Sequence, residues 1–269
     1  MKNKWSGERL ETTVSGRDMI EHLHRYSLCS EFISNKVVLD IACGDGYGSF
    51  LMSEKASHVY GVDIDQTTIL NAQNKYIKSN LIFLTGSADK ISLESNSIDV
   101  VVSFETIEHH DNHHEMIREI KRVLKPDGLL IISTPDKIYY SELRKFKNEF
   151  HVKELYKDEF KGLISSYFKE TKLLIQEYTN GSSIIRQDTV DTELILYTGD
   201  FNKTFKEILV PLFLIAIASD VKLEHNKTSI FNGCQLIENT IIKNYNKSFN
   251  YRVGKTILSP FKFLFKFFR

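Results

Sequence analysis

The stretch Val37-Val38-Leu39-Asp40-Ile41-Ala42-Cys43-Gly44-Asp45-Gly46-Tyr47-Gly48 is a short β-branched apolar run that breaks into three closely spaced glycines. Such a run suits a strand buried on both faces of a parallel sheet, and the glycines let the backbone turn tightly and approach a ligand. A helix follows through Leu51 and Met52, then a strand at His58–Asp63, a helix at Thr67–Ser79 and a strand at Leu81–Leu84. Ile98–Phe104 is a continuous apolar strand. Met116–Leu124 reads as a helix stopped by Pro126-Asp127-Gly128, and Leu129–Ser133 as a fifth strand. Strands alternating with helices imply right-handed crossovers and a doubly wound, Rossmann-like α/β sheet.

Past Pro135 the alternation blurs. Leu173–Tyr178 and Pro211–Ser219 read as two further strands, an antiparallel pair added to the parallel sheet, with a polar and irregular stretch between them. The expected architecture is a seven-stranded sheet, mostly parallel, with an antiparallel last strand. A helix over residues 17–33 forms an N-terminal lid (1–36). The core spans 37–222, with a substrate-side insertion at about 136–208, and an extension (223–269) ends in an amphipathic tail.

The 269 residues carry 35 Lys plus Arg against 35 Asp plus Glu, so no global electrostatic footprint for nucleic acid is present. Cys29, Cys43 and Cys234 have no metal-type spacing and fit a reducing cytoplasm. Met1–Ser6 leads into no apolar segment of a signal peptide. The longest apolar run, Ile208–Ala218, contains Pro211 and is too short to span a bilayer.

Open α/β sheets bind ligands at the carboxyl ends of their strands. The second strand ends in Asp63, 17 residues after Gly46, where a carboxylate can accept both hydroxyls of a ribose. The third strand leads into Gly86-Ser87-Ala88-Asp89, where an adenine ring would lie against backbone and Ile91. A dinucleotide fingerprint needs glycine or alanine three residues after its second glycine. That position is Ser49 or Tyr47 here, depending on the register. Asp40 would also repel a pyrophosphate but favour an ammonium or a sulfonium. The site reads as one for a cationic adenosine ligand.

Five segments in order, Val38–Gly48, Gly61–Asp65, Gly86–Asp89, Ile98–His109 and Glu119–Thr134, are similar to the successive motifs of class I S-adenosylmethionine-dependent methyltransferases. The resemblance covers about residues 20–160 and implies S-adenosylmethionine as cofactor. It implies that Asp40, Ala42, Gly44 and Gly46 line the methionine part, that Asp63 with Ile64 holds the ribose, and that Ser87 and Ala88 flank the adenine. Arg25, beside Tyr26 on the lid helix, would meet the cofactor carboxylate. Ala42 stands where the family has glycine, and Ser87 where it has aspartate, so Asp89 is the substitute there. The wider string Glu21–Tyr26, Ser103–His109, Ser133–Pro135 and Asn148–Leu155 resembles the subgroup associated with bacterial surface-polysaccharide synthesis. That subgroup implies O-methylation of a sugar or glycan terminus.

After the fourth strand comes Glu105-Thr106-Ile107-Glu108-His109-His110-Asp111-Asn112-His113-His114. An alcohol acceptor must lose a proton, and a histidine titrating near neutrality is the natural base. His109 takes that role, with Glu105 or Glu108 orienting it. A second reading makes Glu105, Glu108 and His109 ligands of a divalent cation, since the string resembles the metal motif of some methyltransferases acting on RNA 3′ ends or quinone precursors. A third is structural: a carboxylate caps the next helix, and His113 and His114 are solvated. His151, on a polar loop, is a candidate to face the acceptor. Alternatives to a glycan acceptor are a quinone precursor, another small molecule, a lipid or an RNA end, the last weakened by the neutral charge. A cofactor-binding scaffold without catalysis is the non-enzymatic reading.

In the tail, Lys255, Lys262, Lys266 and Arg269 are spaced by seven, four and three, so on a helix they share one face, with Leu258, Phe261, Leu264, Phe265 and Phe268 over much of the rest, and Pro260 allows a helix from about Ser259. Two readings stand. Residues 255–269 lie on an anionic membrane, placing a cytoplasmic protein at the inner face, or the phenylalanines pack on the domain or on a second copy of the chain.

Overall fold

The computed structural model describes residues 16–188, 194–224 and 227–248. The tail at 255–269 lies outside them. The first half alternates as its periodicity dictates: α1 (Arg17–Cys29), β1 (Val37–Ile41), α2 (Tyr47–Met52), β2 (His58–Asp63), α3 (Gln66–Lys75), β3 (Leu81–Thr85), β4 (Ile98–Phe104), α4 (His113–Val123) and β5 (Leu124–Pro135). Then come α5 (Lys157–Ser165), β6 (Glu170–Thr179), β7 (Ser182–Gln187), β8 (Leu196–Gly199), β9 (Thr204–Glu207), β10 (Phe213–Ser219), β11 (Ser229–Asn232) and α6 (Cys234–Lys247).

Among the described residues nine strands form one sheet, in the order β11-β7-β6-β10-β5-β4-β1-β2-β3. β1 pairs in parallel with both β2 and β4, so strand order reverses at β1 and the crevice opens at its carboxyl end. β10 is antiparallel to both β5 and β6. The seven strands from β3 to β6 are the expected doubly wound sheet with one antiparallel member. The count of seven is corrected to nine by β7 and β11. β7 arises at Asn180-Gly181, whose φ values of 44° and 81° make a tight left-handed turn that folds it back on β6, and β11 then pairs with β7. The stretch expected to be irregular before Pro211 therefore contains β7, and also the separate β8–β9 hairpin.

Alternation along the strands divides the core into two layers. Leu39, Ile41 and Val101 face Ile117 and Ile120 of α4 and Phe160 of α5. Val38, Val100 and Val102 face Met52 of α2 with Ile69 and Ala72 of α3. Each such fully buried side chain contributes about 1.5–3 kcal/mol. α1 is held against the added strands: His24 Nδ1 lies 2.9 Å from Ser183 Oγ and its Nε2 3.0 Å from Ser229 Oγ. Burial and the nearby Arg25 charge push the His24 pKa down to about 4, so this bracket is a neutral imidazole at neutral pH.

Candidate active site

The glycine loop at the tip of β1 runs through three left-handed residues, Ala42 (φ 59°), Gly44 (φ 53°) and Gly46 (φ 81°). At Gly46 a side chain is excluded twice over, because a Cβ would also fall 2.7 Å from Cε1 of Phe83. Asp63 ends β2 and ties two loops together. Its Oδ2 accepts from the Gly44 amide at 3.0 Å and its Oδ1 from the Asp65 amide at 2.9 Å. Ile64, beside it, is 67% exposed, an apolar surface at the mouth of the crevice.

Asp40 is buried beneath the loop. Ser49 Oγ donates to its Oδ2 at 2.6 Å, and the Tyr26 hydroxyl lies 3.5 Å from Oδ1. Burial pushes its pKa up to about 7, with the Asp63 charge acting in the same direction. The Gly86 amide donates to the carbonyl of Asp63 at 3.0 Å, which brings the 86–89 turn beside the ribose candidate. There Ser87 donates to the Asp89 carboxylate, and Ala88 and Ile91 are buried.

α1 closes over this loop. A Cβ on Gly48 would lie 1.9 Å from Cζ of Tyr26, so the tyrosine ring rests directly on that glycine. The Tyr47 hydroxyl meets Nδ1 of His22 at 3.0 Å. Arg25 is fully buried. Its Nη1 donates to Gln176 Oε1 at 2.7 Å and lies 3.7 Å from Glu105 Oε1, while the guanidinium covers the ring of Phe213. Its Nε and Nη2 have no hydrogen-bond partner among the described residues. A buried cation with unmet donors is costly until an anion reaches it.

The acceptor side is built on the carboxyl ends of β4 and β5. Glu105 adopts φ 52°, a conformation that costs a non-glycine residue about 1–3 kcal/mol and clusters at functional sites. Ser133 holds it there. Glu108 is buried. The Thr134 hydroxyl donates to its Oε2 at 3.3 Å, and its Oε1 has no partner among the described residues. Burial first, and the neighbouring Glu105 charge next, push its carboxyl well above the usual range.

The 148–154 loop folds over this pair: the amides of Val152 and Lys153 donate to the Glu108 carbonyl at 2.9 and 3.0 Å. His109 Nδ1 lies 2.8 Å from the carbonyl of Phe150. That bond requires a proton on Nδ1, which puts the lone pair of the neutral ring on Nε2. The oxygen that orients His109 through Nδ1 belongs to Phe150.

His151 stands edge-on to His109 at 5.1 Å between ring centroids, and stacks on Tyr140. Its Nδ1 meets Glu154 Oε1 at 2.6 Å and its Nε2 meets the Asn148 amide at 2.9 Å. Possible ligand atoms of Glu108, His109 and His151 lie within 4.8 Å of one another. Of the metal reading's Glu105, Glu108 and His109, the last two are brought together with His151, while Glu105 turns to Ser133 and Arg25. The capping reading is corrected in part: no side chain caps α4 and His113 is buried at its start, whereas His114 is exposed as expected and bonds the hydroxyl of Tyr167. Ser133, Thr134 and Gln176 were not singled out as site residues. Their one sequence signal is a polar residue at the end of, or inside, an apolar strand.

A family profile described as "Methyltransferase domain" matches residues 39–132, which span β1 to β5 and both carboxylate sites. Residues 39–132 thus match a methyltransferase domain. Its cofactor is S-adenosylmethionine. The domain is 37% identical over 128 residues to a "Probable S-adenosylmethionine-dependent methyltransferase" of Mycobacterium tuberculosis, covering 47% of this chain and 46% of that one. It is 30% identical over 121 residues to "Ubiquinone biosynthesis O-methyltransferase" of Bartonella tribocorum, covering 41% of this chain and 49% of that one. The chain thus spans about half the length of the curated relatives it matches. A solved S-adenosylmethionine-dependent methyltransferase from Archaeoglobus fulgidus shares the fold, with a TM-score of 0.57 at 20% identity over 76% of this chain and 94% of that one. Neither curated relative is named for a polysaccharide, and the fold likeness carries no acceptor.

Proposed function

We propose that this chain transfers a methyl group from S-adenosylmethionine to a hydroxyl oxygen of an acceptor seated over Glu105–His109. The observation that carries the reading is the meeting of Arg25 and Glu105, 3.7 Å apart. A buried cation with two unmet donors, suited to the cofactor's carboxylate, borders the segment that holds the candidate base. The residues fit the cofactor elsewhere too. Asp63, at the carboxyl end of β2, accepts from the Gly44 and Asp65 amides and stands where a ribose would lie. Exposed Ile64 and buried Ala88 and Ile91 offer apolar surface to an adenine, with Asp89 next to it. When bound, the cofactor supplies an electrophilic methyl on a sulfonium. The chain's share is to hold the acceptor in line, keep water out beneath α1, and take the hydroxyl proton at His109 Nε2.

A second reading of the same cluster is a divalent cation held by Glu108, His109 and His151. It is favoured by their ligand atoms lying within 4.8 Å and by Glu108 Oε1, buried with no partner among the described residues. A cation there would lower the pKa of a bound hydroxyl without a histidine base.

The glycan terminus implied by resemblance remains the proposed acceptor within the hydroxyl class, and the quinone-type acceptor named for one relative is the competitor. No helix among the described residues is long and apolar enough to cross a membrane, and membrane contact through 255–269 falls outside them. Incubation with S-adenosylmethionine and a panel of lipid-linked glycans, sugars and catechols, read by mass spectrometry, tests the function. Mass gain by none, with S-adenosylhomocysteine unbound in calorimetry, rejects it.

A further inference from the structure

The loop that carries Phe150 and His151 has a second side. From Lys137 to Lys153 the chain holds five Lys or Arg against Glu142 and Glu149. Glu142 accepts the Tyr156 hydroxyl at 2.6 Å. Asn148, His151 and Glu154 turn inward and bond one another, while Leu143 (68% exposed), Phe146 (44%), Phe150 (38%) and Val152 (63%) turn outward. Arg144, Lys145 and Lys147 are exposed between them, and none has a carboxylate partner among the described residues. The Arg144 guanidinium covers the rings of Tyr140 and Phe146, leaving its positive edge outward. Lone exposed apolar residues need no explanation, but four in ten positions interleaved with unpaired cations do.

We propose that this face, residues 143–152, docks on an anionic lipid surface. Apolar side chains would enter the acyl boundary and Arg144, Lys145 and Lys147 would meet the phosphates, a pairing that neutral or cationic surfaces do not offer. The geometry has a consequence for the acceptor. Phe150 and Val152 face out while His151 between them faces in, so the membrane contact and the Glu108–His109–His151 cluster are opposite sides of one loop. An acceptor held by a lipid anchor would be presented to the cluster along the docked edge. Docking does not depend on methyl transfer, so its failure and the failure of the functional proposal are read by different assays.

The test is flotation of the full chain with vesicles of phosphatidylcholine, with and without phosphatidylglycerol. The chain should float with the anionic vesicles alone, and added salt should reduce recovery. Leu143→Glu with Phe146→Glu should lower the partition at least about tenfold. Lys145→Glu with Lys147→Glu, which touches no packed side chain, should do the same if the first pair fails to fold. Melting temperature and calorimetry with S-adenosylhomocysteine check that each variant is native. No flotation of the parent, or equal flotation of parent and folded variants, overturns the proposal. So does a dimer that both variants dissolve without any lipid binding, which gives the face to a second copy.

Discussion

Ser133 and Glu105 bond reciprocally across β4 and β5: the serine hydroxyl donates to Glu105 Oε1 at 2.6 Å and accepts from the Glu105 amide at 3.3 Å. One side chain thereby fixes both backbone and carboxylate of a residue held at φ 52°. Ser133→Ala removes both bonds. The expected loss of stability is about 1–3 kcal/mol, the cost of leaving buried polar groups unmet, read as a lower denaturant midpoint. Turnover should fall as Glu105 relaxes, and a variant with wild-type midpoint and rate would show that the pairing positions nothing.

Cofactor affinity should depend on Asp63 and on Gly48 for different reasons. Asp63→Ala removes a charged acceptor and should weaken S-adenosylhomocysteine binding by about 1.5–3 kcal/mol in calorimetry. Gly48→Ala leaves every polar group in place but drives a methyl into the Tyr26 ring, so α1 must shift. Binding should weaken there too, with faster proteolysis of α1. Unchanged affinity in Asp63→Ala would remove the ribose role.

The buried carboxyl of Asp40 gives a pH dependence with a definite sign. Its folded pKa of about 7 lies above the unfolded value of about 3.9. Between these the native state binds more protons, so its contribution to stability is present below about pH 4 and is lost as pH rises through 7. Glu108, also raised, adds in the same direction. A cationic ligand favours the ionised form, so cofactor affinity should climb from pH 6 to 8. Asp40→Asn should flatten that slope, and a slope kept in the variant assigns it elsewhere.

Replacing His109 by Ala should lower turnover by about 10²–10⁴ with little change in cofactor affinity, as for a general base. The cation reading makes a distinct forecast: EDTA abolishes turnover, a divalent ion restores it, and His151→Ala is as damaging as His109→Ala. Full activity in EDTA with a damaged His109→Ala leaves the base in place.

The first half of the chain was legible because β1, β2 and β4 are apolar, largely β-branched runs that end at an aspartate or glutamate, as at Val37–Asp40 and Val59–Asp63. The second half was less so. β7 carries Ile184 and Ile185 among serines, Arg186 and Gln187, too little periodicity to stand out, although Asn180-Gly181 was a readable hairpin signal. The acidic and glycine positions of the site could be placed from strand ends. The Phe150 carbonyl, the inward turn of His151 and the two unmet nitrogens of Arg25 could not. Each arises from contacts between segments far apart in sequence, which no local pattern encodes.

The place of β10 bears on how the molecule is made. All seven of its residues are buried, and it fills the slot between β5 and β6 although it is synthesised about eighty residues after β5. A nascent chain that has released β1 to β5 from the ribosome still carries β5 with one bare edge, along which lie Ile131 and Ile132. Closing so long a loop is slow, and a bare apolar edge is a template for wrong pairing. Translation pausing or chaperone holding between residues 135 and 213 would therefore govern yield, and a chain cut before Phe213 would be recovered as aggregate.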